Sequence, residues 1–407
     1  MFSKYMQKTI TFFLVILLSA CGKTENKIET VEEIIPLPVI EVDTATSYEY
    51  EATKLSEPRN ETDTVNITND GERTIFTGRR INISVTGLDG RIGYLSNIAD
   101  ANHIISILID AGKIEITSIP RDTYCDLGYE IKNGYDKNKL TYCLSMHGRE
   151  RYHKELAQIA KLDTIHYYVE FGFSQAIGII EFFGYKESTN TLQVLRNRTA
   201  LGGDDFQRCY TQGQFMRQTI INQFNKFTGI SGNILVRAGL LLAETNLTGD
   251  VAVEIIKKLE KIDFPKTQES VMVRVCPPKK IHYREDDFSN EETILQLVNK
   301  IEDYNKTRFK KGKKKPQTII NVSKKLNEVL LSAAADTNNY PTRTISKLQP
   351  YFKQRAWYQV KDKNERAKIR DEFGLLLSTT YKKLNKNDEA TKVLNIIEAD
   401  RKIFENK

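Results

Sequence analysis

Ile81-Asn82-Ile83-Ser84-Val85-Thr86-Gly87-Leu88-Asp89-Gly90-Arg91 alternates apolar and polar side chains for seven residues, then breaks into a turn that carries an acid and a base. A period of two is the mark of a strand with one face in a core, and a charged turn at its end is a place where chemistry is presented. Working outward, residues 104–109 and 113–119 form two more β-rich runs about a turn at Gly112. The spacing then predicts a helix over 150–161, a strand over 164–171 and a buried helix over 174–183 capped by Ser174. A long helix is expected over 204–224 and an amphipathic one over 251–262. Strands and helices mixed in this order predict an α/β domain, a three-layer α/β/α arrangement with a mixed central sheet spanning 80–286.

From residue 287 to 407 the pattern becomes all helical. Ser289-Asn290-Glu291-Glu292 has the form of a capping box ahead of the apolar period over 294–304. Residues 308–315 hold six basic side chains in eight and read as a solvated loop. Near 370–400, Leu377, Tyr381, Ala390 and Leu394 fall at spacings resembling one tetratricopeptide repeat, with a plain helical hairpin as the alternative.

Composition bounds the function. Of 407 residues, 40% are apolar, 28% charged and ten are Pro, which excludes a disordered polymer or a collagen and allows a full core. The net charge of +7 is unevenly spread: residues 22–79 carry six basic and thirteen acidic groups, so the surplus of positive charge lies in the domains that follow. Such a surplus fits an anionic partner or merely solvated lysine-rich helices. No nucleic-acid partner is expected.

Residues 1–20 read as a lipoprotein signal peptide: Lys4 and Lys8 precede a short apolar run, followed by Leu18-Ser19-Ala20-Cys21, a bacterial lipobox in form. Cys21 is the expected lipidation site and the tether to a membrane, against the alternatives of an ordinary cleaved signal or a short anchor. Residues 21–79 read as an acidic, extended linker, with a peripheral strand expected over 34–42. The expected location is the cell envelope, outside the cytoplasm, which excludes cytosolic transcription factors and enzymes that need soluble ATP. Four further cysteines, Cys125, Cys143, Cys209 and Cys276, show no zinc-ligand spacing, and Cys125–Cys143 is the simplest disulfide if the thiols are not all free.

Arginines beside carboxylates dominate three separate stretches: Gly87-Leu88-Asp89-Gly90-Arg91, Ser118-Ile119-Pro120-Arg121-Asp122-Thr123-Tyr124, and Arg196-Asn197-Arg198 followed by Asp205-Phe206-Gln207-Arg208 and Gln212. On extended backbone Arg196 and Arg198 would point to one side, and on one helix Asp205, Arg208 and Gln212 share a face near its N-terminus. Five guanidinium groups converging there suit a pyrophosphate, since each can bind phosphate oxygens in a fork.

These stretches resemble the LytR-CpsA-Psr family of extracytoplasmic glycopolymer transferases. The resemblance rests on residues 118–124, on Arg196-x-Arg198 with Asp205-Phe-x-Arg208-x-x-x-Gln212, and on Asp89 and Arg91 in a Gly-x-Asp-x-Arg pattern. It implies a phosphotransferase that moves a glycan from a polyprenyl-pyrophosphate carrier to a peptidoglycan or other envelope hydroxyl. Arg91, Arg121, Lys139, Arg196, Arg198, Arg208 and Gln212 would bind the pyrophosphate. Asp89 and Arg121 would be catalytic, and Asp89 with Asp100 would hold Mg2+. The C-terminal helices offer a surface for a protein partner. Departures are visible too: Ile98-Ala99-Asp100 replaces the family's usual Arg-Ser-Asp, Asn102 is an alternative to Asp100, Thr211 stands where an Arg often precedes the Gln, and the segment between Gly184 and Arg196 is short. A non-catalytic binder of lipid-linked glycan or peptidoglycan, and a polyprenyl-pyrophosphate phosphatase, are the rival readings.

Overall fold

The computed structural model describes residues 61–66, 73–78, 80–131, 136–310 and 320–405. The expected signal peptide, the expected lipidation site Cys21 and the strand expected over 34–42 lie outside the described residues. Within the stretch read as an extended linker, β1 (Glu61–Asn66) and β2 (Arg73–Gly78) instead pair as an antiparallel hairpin. Thr, Val, Ile and Phe supply its β propensity, a local preference that the acidic composition outweighed in the sequence reading.

The alternating run at 81–87 is the middle of a six-stranded sheet. Its strands are β3 (Arg80–Asp89), β4 (Ile98–Leu108), β5 (Lys113–Ile119), β6 (Tyr167–Phe171), β7 (Glu244–Thr245) and β8 (Val271–Val275), in the order β7-β6-β3-β4-β5-β8. β4 runs antiparallel to β3 and β5, while β6 lies parallel to β3 and β8 parallel to β5, so the sheet is mixed. It follows that β3, β5, β6 and β8 all end at one edge, where β4 begins.

Helices cover both faces. α1 (Leu140–Ala160) packs on one face through Leu140, Cys143, Tyr152 and Leu156. It absorbs the helix expected at 150–161 and is interrupted at Gly148, whose φ of +79° lies in the left-handed region. On the other face Ile81, Ile83, Val85, Ile105, Ile107, Ile114 and Ile116 meet α2 (Phe173–Phe182), α3 (Ser188–Arg196), α4 (Asp205–Gln223), α5 (Gly229–Leu240) and α6 (Gly249–Glu260) in one apolar cluster. The α/β/α layering expected from the element order is the observed fold. α2 starts one residue before Ser174, with Gly172 at its cap, whose backbone N–H donates to the Gln175 side chain at 2.8 Å, so Ser174 is not the cap.

The C-terminal region is all helical: α7 (Glu291–Lys310), α8 (Val322–Asp336), α9 (Pro341–Lys353), a 3-10 turn at Ala356–Gln359, α10 (Lys363–Lys383) and α11 (Asn387–Phe404). Asn290, not Ser289, caps α7 by accepting from the backbone of Glu292 at 2.9 Å. α10 and α11 form a hairpin in which Leu377, Tyr381 and Ala390 are buried while Leu394 is exposed. The helices share the apolar cluster of the sheet: Trp357 and Tyr358 are buried, and Tyr358 lies so close to α2 that a Cβ on Gly178 would fall 2.6 Å from its ring. Among the described residues no helix is long and apolar enough to cross a membrane.

Candidate active site

The edge where β3, β5, β6 and β8 end and β4 begins gathers the charged motifs. Asp89 is the last residue of β3 and pairs in register with Ile98 at the start of β4. Leu88 opposes Ala99 and Gly87 opposes Ala101, so Asp100 is the extra residue of a β-bulge. A bulge re-aims the side chain it displaces. Asp100 is thereby turned to the helix-rich face, where three arginines meet it. Arg121, two residues beyond β5, bonds Oδ1; Arg198 Nη2 lies 3.3 Å from the same oxygen; Arg208 Nη1 lies 3.0 Å from Oδ2 and Nη2 bonds the Asp100 carbonyl at 2.8 Å. Asn102 belongs elsewhere: its amide oxygen accepts from Tyr152 on the α1 side at 2.6 Å, and it is buried.

Asp205, in the first turn of α4, ties the cluster together. Its Oδ2 accepts from the Arg121 backbone at 3.2 Å, and its Oδ1 lies 2.8 Å from Arg208 and 3.4 Å from Arg198. Asp204 caps the same helix by accepting from Gln207 N at 3.1 Å. The shared face expected of Asp205, Arg208 and Gln212 exists, but its members divide the work. Arg208 has a side-chain exposure of only 2%, whereas Arg121 and Arg198 are 29% and 31% exposed. Gln212 is buried; its amide donates to Leu195 O at 2.9 Å and its carbonyl oxygen faces His103 Nε2 at 3.2 Å. In this structure Gln212 therefore anchors the end of α3, while Arg121 and Arg198 are the accessible cations.

Arg196 and Arg198 do not lie on a continuous extended segment. α3 runs through Arg196, and the chain becomes extended only at Asn197, with φ −72° and ψ 137°. The short segment after Gly184 still allows one amphipathic helix, and its apolar period won over the strand reading. Both arginines nevertheless reach the cluster: Arg198 touches Asp100 and Asp205, while Arg196 stacks over Phe173 at 5.5 Å and acts electrostatically on Asp89. Lys139, just ahead of α1, stands 3.3 Å from Asp122. Arg91 is exposed in the loop after β3.

The electrostatics are those of a site with surplus positive charge. Arg91, Arg121, Arg196, Arg198 and Arg208 surround Asp89, Asp100 and Asp205. Burial raises the Asp89 carboxyl above the usual aspartate range, the nearby Asp100 charge adds to this, and Arg196, Arg121 and Arg91 oppose it. Burial and the neighbouring Arg208 charge pull the Arg198 guanidinium down from its ordinary value. The Nε donors of Arg121 and Arg196 are buried without a hydrogen-bond partner among the described residues. Crowded cations and idle donors at one sheet edge have the chemistry to receive a multiply charged anion.

His103 was missed by the sequence reading because it sits inside an apolar run. It is buried between Ser118 Oγ, at 2.8 Å from Nδ1, and Gln212, and burial pushes it down to about 3, so it is neutral. For a metal, no group of three or more ligating side chains is assembled among the described residues. Burial and the Asp100 charge raise the Asp89 carboxyl, and two carboxylates with phosphate oxygens completing the shell are a donor set that suits Mg2+, though both Asp100 oxygens are bonded to arginines in this structure. The four described cysteines are buried and none is in a disulfide, so Cys125 and Cys143 are not bridged; burial and Glu155 raise the Cys143 thiol to about 12.

The family comparison covers the first part of this α/β/α layer. Residues 39–183 match the LytR_cpsA_psr family, and the chain carries a LytR-CpsA-Psr domain there. The match begins within the stretch read as linker and ends with α2. No curated protein matches the chain. Among solved structures, the Lin1025 protein from Listeria innocua is 17% identical over 55% of this chain and 98% of its own, with a TM-score of 0.36. TagV from B. subtilis is 13% identical over 56% of this chain and 97% of its own, with a TM-score of 0.39. TagT, in a structure bound to LIIa-WTA, is 16% identical over 55% of this chain and 90% of its own, with a TM-score of 0.33.

Proposed function

We propose that this chain is a glycopolymer phosphotransferase that takes a glycan from a polyprenyl-pyrophosphate carrier and joins it to a hydroxyl of peptidoglycan or another envelope polymer. Members of the LytR-CpsA-Psr family are glycopolymer phosphotransferases that act on the cell envelope outside the cytoplasm. The observation that carries the reading is the arginine cluster around the Asp100 bulge, with accessible Arg121 and Arg198 held by the Asp100 carboxylate that a buried Arg208 fixes in place.

In this reading the acceptor oxygen attacks the phosphorus next to the sugar. The new O–P bond forms as the bond to the bridging oxygen breaks, and polyprenyl phosphate leaves. Arg91, Arg121, Arg196 and Arg198 neutralise the pyrophosphate, and Lys139 steers anions to the rim. Asp89, at the accessible mouth, takes the hydroxyl proton. Asp89 and Asp100 would hold Mg2+, which supplies charge neutralisation when bound. Phosphoryl transfer asks for positioning and charge more than covalent help, and the cluster offers both. Cys21 would anchor the protein to the membrane by lipid, which mass spectrometry of the mature N-terminus reads.

The test is incubation with polyprenyl-pyrophosphate sugar, Mg2+ and peptidoglycan, with product read by mass, for the parent and for Asp89→Asn. A transferase forms the phosphodiester, and Asp89→Asn loses turnover by about 10²- to 10⁴-fold, the usual range for a general base, with far smaller loss of carrier affinity. A parent that binds the carrier but transfers nothing, indifferent to chelator and to Asp89→Asn, is the binder of the rival reading.

A further inference from the structure

The loop that carries Asp89 and Arg91 into the cleft is held from the far end of the sequence. Its turn closes with Tyr94 N donating to Arg91 O at 2.9 Å. One side chain of the C-terminal helical region, Gln354, then saturates it. The Gln354 carbonyl oxygen accepts from Gly93 N at 2.8 Å, and its amide nitrogen donates to Arg91 O at 2.9 Å and to Tyr94 O at 2.7 Å. Only a primary amide of this length offers an acceptor and two donors in that fork. Gly93 has φ +81°, and a Cβ there would fall 2.5 Å from the Tyr351 ring, so the loop is also fitted beneath α9 without spare room.

Gln354 is itself aimed. Arg355, the next residue, takes a left-handed conformation with φ +53° that non-glycine residues adopt only when their surroundings hold them. Those surroundings are the Phe352 carbonyl, 2.6 Å from its Nη1, and the rings of Phe352 and Trp357. Apart from that loop, the helical region is fastened to α2 by Gln359 Nε2 donating to Ser174 Oγ at 2.8 Å and, from α10, by Arg366 bonding Glu181 at 2.6 Å. The helical region thus packs against the sheet domain and touches the loop that begins at Arg91.

We propose that Gln354 is a positioning residue for anion binding, and that the C-terminal helical region completes the cleft by setting the Gly90–Arg91–Gly93 loop. The proposal rests on the reading of the cleft as a pyrophosphate site. Arg91 opens the held turn and Asp89, at the end of β3, lies two residues before it, so a loop released from Gln354 carries Arg91 away from the groups that β4, β5 and α3 hold in place and loosens the strand end at Asp89. Gln354 touches no reacting atom and acts through Arg91 and Asp89.

The experiment uses the full chain and inorganic pyrophosphate as probe. Gln354→Met removes the three hydrogen bonds at similar volume, and Gln359→Met removes a hydrogen bond of the same turn that faces α2 and not the loop. Calorimetric titration should show pyrophosphate bound about tenfold more weakly by Gln354→Met, the scale of losing one charge-assisted hydrogen bond, and within twofold of the parent by Gln359→Met. Thermal unfolding should place the two variants together, so that stability does not explain the difference. Amide exchange supplies a measurement independent of either variant: Gly93 N–H should be protected in the parent, and unprotected exchange there would overturn the clamp. Unchanged affinity in a folded Gln354→Met protein would overturn the positioning role alone. A parent that binds no pyrophosphate would overturn the cleft reading and this proposal with it.

Discussion

Asp100 and Asp400 are both buried aspartates facing arginine, one at the edge of the sheet and the other inside the C-terminal helices, and their partners differ in one respect. Asp100 is met by Arg121 and Arg198, about a third exposed, and by the sealed Arg208. Asp400 accepts from buried Trp357 Nε1 at 2.8 Å and has Arg370 Nη1 4.0 Å away, with side-chain exposures of 3% for both Arg370 and Asp400. Arg370 is itself shared with Asp371 and Glu405. At Asp100 the cations outnumber the anions and can be reached; a ligand phosphate can take over their outer donors while Arg208 keeps the carboxylate in place. At Asp400 nothing can enter, and burial lifts the carboxyl to about 6. The same residue pair is open to solvent in one place and a packing element in the other, and access to the cation is what the proposed receptor role requires.

The hardest test of that contrast is Arg208→Met. It leaves Asp100 and Asp205 buried without their inner cation, and breaking a buried pair by removing one partner costs about 3–5 kcal/mol. Denaturant unfolding should show a loss of that size, and a loss below about 1 kcal/mol would mean that solvent already reaches the inner cluster. Arg121→Ala removes an accessible partner instead. Pyrophosphate affinity should fall by about 10- to 150-fold, equivalent to roughly 1.5–3 kcal/mol for a hydrogen bond to a charged group, while the unfolding midpoint moves little. An unchanged affinity in the folded variant would break the receptor half of the comparison.

The most gradual effect is read at Asp400 through pH. The folded carboxyl keeps its proton up to about pH 6, whereas the unfolded chain releases it near 3.8, so between these values the unfolded state binds fewer protons and stability falls as pH rises. The slope is at most about 1.4 kcal/mol per pH unit. His103 works in the opposite sense: with a folded value of about 3 against 6.5 unfolded, it removes stability as pH falls through that window. Asp400→Asn should therefore gain stability over the parent as pH rises from 4 to 6, then hold a constant difference above that. A difference that does not vary with pH would place Asp400 in contact with solvent, like the rim of the cleft.

Much of the fold and of the cleft's membership was legible. Period-two alternation in residues 81–87 and the apolar runs after it describe strands whatever surrounds them, since pleating sets that period, and Asp89, Arg121, Arg198 and Arg208 were named from motifs at strand and helix ends. What failed was local geometry with two solutions. Arg196 could end a helix or lie on a strand, and the answer came from burial of Leu192 and Leu195 against the core. Gln212 had the spacing of a ligand donor, but the element facing it proved to be the end of α3 with His103, and its amide is engaged there.

The sequence by itself determined the layered α/β class, the helical C-terminal region, and the arginine and aspartate motifs, because each is written in side-chain periods or spacings of a few residues. Only the tertiary structure decided that a bulge aims Asp100 at three arginines, that Arg208 is inside while Arg121 and Arg198 are reachable, and that Gln354 holds the Gly93 loop. The reason is separation along the chain. Asp100 and Arg208 lie 108 residues apart, and Gln354 and Gly93 lie 261 apart. No local period encodes pairings of that range, and they exist only because the core shared by the sheet and the C-terminal helices brings these distant segments together.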